Sequence, residues 1–512
     1  MVDADHPLQG STVTSDEYQP VRVRYAPSPT GSPHIGNSRT MLFNWFLARR
    51  YGGQFIVRIE DSDTARTVPG SVENILEGLR WLGVTWHEGP EVGGPYGPYF
   101  QSQRRELYQY YSHRLIESGH AYRCYCSPER LNQIHAEQDR QRKPHRYDRR
   151  CRFLSAAERR QYEASGAPFV VRFAMPTEGT TTFHDMLRGP ITFNNADIDD
   201  MILLKSDGFP TYHLGNVVDD HLMRITHVLR GEEYLSTAPV HVLEYRALGW
   251  KEPYLIHLPL ILGPDRTKLS KRHGAMSVLE FRDLGYLPEA VINFLMLLGW
   301  SYDDKTEILT PDQIAQAFSL DRLGTSASIW ARDRLDWMNG VYIRSLSPAE
   351  LARRVRPFME RPEAEGGLPD EVPRPLDMAY LTAVIRLEQE RMKTLAEAPQ
   401  MTTFFFVDEL TYDPALLVGK GMDRAQAEAG LARTLAIVAD AQPWTAAAIE
   451  APMRALAADL GLKTGQLFGT VRVAITGRTV SPPLFETMEV LGRECTIKRL
   501  RAALERLRAE NR

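Results

Sequence analysis

Short apolar runs alternate with amphipathic stretches from Val21 to about Phe100, a strand-and-helix rhythm that predicts an α/β layer. Within it Val72, Ile75, Leu76 and Leu79 recur at spacings of three and four, which predicts a helix over Ser71 to Leu82. The Gly/Pro-rich stretch Gly89 to Pro98 closes this block, and a mixed segment fills about 101 to 208. Strand-like runs return at Met201 to Lys205 and Ile225 to Arg230, followed by a helix over Thr237 to Leu248. From about Met276 the helical period takes over. Pro288 to Leu298, Pro348 to Met359, Ala425 to Ala439 and Ile497 to Leu507 read as amphipathic helices, with hardly a convincing strand beside them. There is no internal repeat and no low-complexity tract. Glu360 to Pro375, rich in Pro, Glu and Gly, is the expected linker or exposed loop, and the polar, acidic residues 1–19 are an expected disordered lead-in.

Composition narrows the class. A chain of 512 residues predicts three or four domains at about 100–200 residues each, and 43% hydrophobic with 25% charged residues suits globular protein with sizeable cores. No run of about 18 apolar residues occurs, and the N-terminus lacks a basic-then-apolar leader, so neither a membrane span nor a secretory signal is expected. The chain has 4 cysteines, of which Cys124, Cys126 and Cys151 cluster, a pattern that favours a reducing cytoplasm over a disulfide framework. The net charge of −4 argues against indiscriminate nucleic-acid binding, yet residues 101–160 hold 14 Lys/Arg against 7 Asp/Glu. A basic patch of that kind is what a phosphate backbone requires.

The densest chemistry lies in Val21 to Asp63, which strings together a strand, a loop, a helix and a second strand. Pro27, Pro29 and Gly31 end the first strand and stiffen a turn, and Pro33-His34-Ile35-Gly36 then places a ring nitrogen and a side-chain-free backbone at a helix start, where phosphate can approach. Far downstream, Lys268-Leu269-Ser270-Lys271-Arg272 follows the apolar run Leu255 to Leu262 and the turn Gly263-Pro264-Asp265. Alone it is a solvated charge run.

Four segments, RYAPSPTGSPHIG, FIVRIEDSD, LLKSDGFPTYHLGNVVDDHLMRITHVLRGEEYLST and KLSKR, resemble the glutamyl-tRNA synthetases of the bacterial type, members of the class I aminoacyl-tRNA synthetases. The resemblance runs from about Val21 to the C-terminus and weakens after about Asn339. It implies a Rossmann-like α/β catalytic domain over 20–100 and 209–262, split by an α+β insertion at 101–208 that meets the tRNA acceptor end. A stem-contact domain with the KLSKR loop over 263–348 and an all-α anticodon-binding region over 349–512 would follow.

The implied reaction is ATP-dependent activation of L-glutamate to glutamyl-AMP and transfer to the terminal ribose of tRNA(Glu), with Mg2+ accompanying ATP, in a cytoplasmic monomer. Such activation brings two anions together and needs cations rather than a nucleophile. His34, Lys268 and Lys271 are the catalytic candidates, with His34, Gly36 and Lys271 on ATP. Asn37 stands where the general HIGH motif of the class carries its second histidine. Arg24, Ser28, Glu60, Tyr212, Asn216 and Arg230 fall on positions for glutamate. Arg24, inside an apolar strand, is expected to fork the side-chain carboxylate, and Arg22 to face solvent. For Arg230 the plain alternative is an ion pair with Glu232 or Glu233.

Two further implications concern metal and anticodon. Cys124, Cys126 and Cys151 form a thiolate set suited to Zn2+, but Phe153 occupies the position where zinc-binding relatives carry histidine. Tyr147 matches a ligand of a shorter glutamyl-synthetase-like family and completes a set of four, with metal-free cysteines as the alternative. Gln389 aligns with an arginine that meets the third anticodon base in a discriminating member. An amide there, able to satisfy cytosine or guanine, implies charging of tRNA(Gln) as well; an ordinary exposed helix residue is the alternative. Among rival functions, a truncated base-modifying paralogue lacks the helical half, and a glutaminyl-tRNA synthetase ends in β-barrels. A catalytically dead tRNA-binding regulator would not need His34, Lys271 and Arg24 intact, and an oxidoreductase would show GxGxxG after a strand.

Overall fold

Strand β1 (Arg22–Tyr25) leads through helix α1 (Ile35–Arg50) to β2 (Gln54–Val57), and the two strands pair in parallel from Arg22↔Gln54 to Tyr25↔Val57. The structure is a computed structural model that describes residues 21–31, 33–63, 65–270 and 276–509, so the expected lead-in at 1–19 and Lys271 lie outside the described residues. The middle of helix α1 is apolar on every side, with Met41, Leu42, Phe43, Trp45, Phe46 and Leu47, and accordingly is buried all round. Helix α2 (Ser71–Trp81) buries Ile75, Leu76 and Leu79, the face its spacing predicts.

The chain continues through α3 (Arg105–Glu117), β3 (Ala121–Cys124), α4 (Pro128–Arg140), α5 (Ala156–Ala164), β4 (Val170–Phe173), β5 (Thr180–Asp185), β6 (Gly189–Asn194) and β7 (Ile202–Leu204). Next come α6 (Tyr212–Leu222), β8 (His227–Gly231), α7 (Ala238–Ala247), β9 (Tyr254–Leu258) and β10 (Ile261–Leu262). Strands β8 and β9 are parallel and joined by α7. At the start of β8, Thr226 N donates to Arg22 O at 2.9 Å, so β1 turns to β2 on one side and meets the β8 edge on the other. Strand order reverses at this seam, and in open α/β sheets the crevice at the carboxyl ends beside such a reversal is where ligands sit.

The segment 101–208 does not stand apart as a compact unit. Strands β3, β4 and β7 form an antiparallel sheet of their own, but its core of Tyr108, Val171, Phe173 and Leu203 is shared with Leu214 and Val218 of α6. The β5–β6 hairpin joins the catalytic sheet instead, through Asp185↔Leu255.

Helices α8 (Val278–Asp283), α9 (Pro288–Leu297) and α10 (Pro311–Ala317), strand β11 (Ser328–Ile329) and helix α11 (Arg332–Ser345) follow. The chain divides into two compact units, Met1–Phe281 with Val291–Arg332, and Arg282–Ala290 with Asp333–Arg512. The second is helical: α12 (Pro348–Glu360), α13 (Met378–Glu388), α14 (Ala398–Thr402), α15 (Arg424–Asp440), α16 (Ala446–Asp459), α17 (Thr464–Thr476), α18 (Leu484–Leu491) and α19 (Arg493–Ala509). Leu431, Met453, Leu467, Val471, Met488 and Leu500 meet in its core.

Helix α19 starts four residues before the predicted Ile497, because Thr496 and Arg499 are buried along with the apolar stripe. The predicted linker Glu360 to Pro375 is a loop within this unit, pinned by Arg374, whose Nη2 donates to Leu368 O at 2.8 Å and Nε to Glu360 O at 3.1 Å. Among the described residues no helix is long and apolar enough to cross a membrane.

Candidate active site

Arg24 is 5% exposed and donates through Nε to both Asp220 oxygens at 3.1 and 3.2 Å and through Nη1 to Leu229 O at 3.4 Å. An unpartnered guanidinium at that depth would cost several kcal/mol, and α6 supplies the carboxylate that prevents this. Arg58, fully buried, reaches the same Asp220 Oδ1 through Nη1 at 2.7 Å and Glu60 Oε1 through Nη2 at 3.0 Å. Its Nε lies 3.6 Å from Asp219, which also takes Arg104 Nε at 2.7 Å and the Tyr108 hydroxyl at 2.8 Å. Burial acts against the Asp220 charge, but Arg24 and Arg58 hold its carboxyl below the ordinary range. Burial pushes the Glu60 carboxyl up, with Arg58 and Arg24 opposing.

Arg22 corrects the solvent-facing expectation. It sits on the same face of β1 as Arg24, two residues away, and pairs with Glu88 at 2.8 Å with its guanidinium over the Tyr96 ring.

A second wall comes from β8, β9 and α6. Arg230 and His257 are register partners on adjacent strands, and Arg230 Nε donates to His257 Nε2 at 2.9 Å. Its Nη1 donates to the Tyr212 hydroxyl at 3.0 Å and to His241 Nδ1 at 3.0 Å. Among the described residues Arg230 makes no pair with Glu232 or Glu233, the expected alternative; Glu232 takes Arg188 and Leu260 N instead. Burial raises the Tyr212 pKa, and the charges of Arg230, Glu60 and Arg24 all act on that hydroxyl, so these four predicted residues share one locality. Asn216 is buried one turn beyond Tyr212. Ser28 lies exposed in the turn after β1, and no hydrogen bond ties its hydroxyl to this cluster among the described residues.

His34 caps α1, its Nδ1 accepting the Gly36 N–H at 3.1 Å. A Cβ on residue 36 would lie 3.0 Å from His34 Cε1, so glycine makes room for the ring as well as for a ligand. Partial desolvation lowers the His34 pKa against the attraction of Glu233, and exposed Lys268 adds to the lowering. Beside Lys268, Leu269 N donates to Ile261 O at 3.0 Å, and Ser277 forms an antiparallel bridge with His34.

The family model for the catalytic domain of class I tRNA synthetases (E and Q) matches residues 20–337, and an anticodon binding domain matches 350–504. A glutamate–tRNA ligase of Dehalococcoides mccartyi is 51% identical over 489 residues, covering 95% of this chain and 98% of the relative. The chain belongs to the glutamate–tRNA ligase family. A Roseiflexus member is 48% identical over 94% of this chain and 96% of its own length. A crystal structure of the Elizabethkingia meningosepticum ligase, solved in complex with its amino acid, superposes with a TM-score of 0.86 at 33% identity, covering 96% of this chain and all of that one.

The metal and anticodon expectations fall on two further groups of residues. The sulfurs of Cys124, Cys126 and Cys151 lie within 4.8 Å of one another, and the Tyr147 hydroxyl is 3.3 Å from Cys124 Sγ and 3.4 Å from Cys126 Sγ. A tetrahedral zinc, with Zn–S near 2.3 Å and Zn–O near 2.0–2.2 Å, spaces its ligand atoms by about 3.5–3.8 Å, so the four groups fit such an ion. Phe153 is 74% exposed, and its position adds no ligand. Gln389 departs from the alternative of an ordinary exposed residue. It is 8% exposed, and its Nε2 donates to Ile343 O at 2.9 Å and Leu346 O at 2.8 Å, satisfying carbonyls at the end of α11. That donor is not available to a base.

The basic stretch is also less bare than its composition implies. Arg149 and Arg152 pair with Asp200, Arg123 with Glu163, and Arg146 with Asp197, all acids from beyond residue 160.

Proposed function

We propose that the crevice at the β1–β8 seam activates glutamate with ATP and hands the glutamyl group to tRNA, with the following division of labour. The substrate α-carboxylate attacks the α-phosphorus of ATP and pyrophosphate leaves; a ribose hydroxyl of the tRNA terminus then attacks the adenylate carbonyl and AMP leaves. His34 and the backbone at Gly36 hold the ATP phosphates. Lys268 and Lys271 offset charge growing on the leaving pyrophosphate, and Mg2+ enters with ATP. Glu60 takes the substrate ammonium; Arg24, Arg230 and Tyr212 take its carboxylate end, with Asn216 and Ser28 on its remaining polar groups. The observation that carries this reading is the convergence of Arg24, Glu60, Tyr212 and Arg230 from four separate elements, with Glu233 acting both on Tyr234 at this cluster and on His34.

On this reading the segment 101–208 meets the acceptor end, 263–348 the stem and 349–512 the anticodon, in a cytoplasmic monomer. Cys124, Cys126, Tyr147 and Cys151 would hold a zinc ion that stiffens the turn into α4; Arg172, with its guanidinium 4.1 Å from the Tyr147 ring centre, supports the anionic ligand set. The hold of the α11 end on the Gln389 Nε2 weighs against charging of tRNA(Gln) through that amide. The test is aminoacylation of purified isoacceptors with labelled glutamate. Formation of glutamyl-tRNA(Glu) with stoichiometric AMP release is expected; ATP turnover without aminoacyl-tRNA would overturn the assignment.

A further inference from the structure

Two buried arginines face the proposed acid pocket, and the fold gives them opposite kinds of acceptor. Arg24 leans on Asp220, which Arg58 shares, and Arg58 also holds Glu60. With Asp219 beside Arg58 and Arg104 beside Asp219, three cations there meet three anions, so this wall brings no net charge to a ligand. Arg230 is 5% exposed and its acceptors are the Tyr212 hydroxyl and two imidazoles.

The tautomers follow from the donors. Asp185, fully buried, accepts Leu187 N and Arg188 N on Oδ1, at 2.9 Å each, and His257 N on Oδ2 at 3.0 Å. Its Oδ2 also lies 2.7 Å from His257 Nδ1, which therefore carries the ring proton and leaves Nε2 as the acceptor for Arg230. Because a guanidinium only donates, His241 Nδ1 is likewise an acceptor, and its Nε2–H donates to His213 Nδ1 at 3.2 Å. Burial lowers the His257 pKa against the pull of Asp185, and burial with the Arg230 charge lowers that of His241, in keeping with the neutral rings that the Arg230 donors require. With Nε and Nη1 so occupied, Arg230 Nη2 is buried without a partner, a donor left over for a ligand.

We propose that His257, oriented by Asp185, and His241 are positioning residues that hold Arg230 through uncharged acceptors, which keep the Asp185 carboxylate one ring away and leave the Arg230 charge and its Nη2 donor to the anionic side chain of the amino acid. This rests on the reading of the crevice as the glutamate site and names the source of its selectivity. A carboxylate in place of either imidazole would hold the arginine equally well but cancel the charge.

The test uses the full-length enzyme with tRNA(Glu), measuring kcat, the KM values for glutamate, ATP and tRNA, and competition between glutamate and glutamine. His257→Phe keeps the ring volume and removes the acceptor, and is expected to raise the glutamate KM about 10- to 100-fold, the scale of a charged hydrogen bond, with ATP and tRNA KM within about threefold. Preference for glutamate over glutamine should fall by a similar factor. His257→Gln, whose side-chain oxygen takes the place of Nε2, should restore most of the loss. His241→Phe removes the second acceptor from a different element and reads the same effect if the first variant does not fold. Equal damage to all three KM values and kcat, or no rescue by glutamine in folded protein, overturns the proposal. If the unaltered enzyme makes no glutamyl-tRNA, the reading of the site fails first; if it does and His257→Phe keeps the glutamate KM and the preference, only the positioning role fails.

Discussion

Replacing Arg58 by Met should expose how the buried charges are balanced, because the three carboxylates it faces are not left in equal positions. Asp219 keeps Arg104 at 2.7 Å and Asp220 keeps Arg24 at 3.1 Å, whereas Glu60 loses the guanidinium 3.0 Å from its Oε1. Breaking a buried pair costs about 3–5 kcal/mol when the remaining charge must stay ionised. Glu60 has an escape, since its pKa is already raised by burial and a proton removes the charge. Holding a carboxyl with an unfolded pKa of about 4.3 in its protonated form costs about 1.36 kcal/mol per pH unit above that value, roughly 3.7 kcal/mol at pH 7 and 1 kcal/mol at pH 5. The sign follows: a raised folded-state pKa destabilises above the unfolded pKa, and the penalty disappears as pH falls toward it. Urea unfolding of variant and unaltered protein at both pH values should therefore give a difference of about 3–4 kcal/mol at pH 7 that shrinks to about 1–2 kcal/mol at pH 5, with lost packing accounting for the residue. A penalty independent of pH, or one that grows on acidification, would refute the assignment of the unpaired charge to Glu60.

Lys271→Ala should lower adenylate formation about 100-fold or more while leaving glutamate and tRNA binding nearly intact, since a cation on the leaving group acts mainly in the transition state; a mild loss in single-turnover assays would move that role elsewhere. Elemental analysis should find about one equivalent of zinc, lost on Cys124→Ser and weakened on Tyr147→Phe; fully active protein free of metal would count against the ligand set. Gln389→Ala should cost about 1–3 kcal/mol of stability by leaving the Ile343 and Leu346 carbonyls short of a donor, with the choice between tRNA isoacceptors unchanged; a stable variant with altered isoacceptor preference would reverse this view of the residue.

What could be read from the chain followed how local the physics is. The face of α2 is set by four apolar side chains within eight residues, and the helical second unit by the same period repeated, so both were legible. The β5–β6 hairpin was not, because only one register pair, Asp185↔Leu255, carries it into the catalytic sheet across seventy residues of chain. The basic stretch is stronger in composition than in space for a related reason: Glu163, Asp197 and Asp200, which pair with its arginines, lie beyond residue 160. Gln389 shows the converse, a residue whose local helix pattern suggested a free amide while carbonyls more than forty positions away had already engaged it.

Arg24 and Arg230 carry this lesson to the site itself. Both could be singled out as cations in apolar surroundings, and β alternation alone would have placed Arg22 beside Arg24 rather than in solvent. Whether a buried arginine has charge to offer a ligand depends, however, on what else it touches, and those partners lie 196 residues away for Arg24 and 27 for the Arg230 Nε contact. His257 sits in the run Leu255 to Leu262, which reads as apolar strand, and that strand explains the histidine's burial but not its tautomer. The tautomer comes from Asp185, a hairpin-end residue of the segment that sequence pattern assigns to an insertion. A segment that reads as a separate module is thus joined to the orientation of an arginine in the acid pocket, and substitutions at Asp185 belong among those expected to change glutamate affinity without touching the substrate.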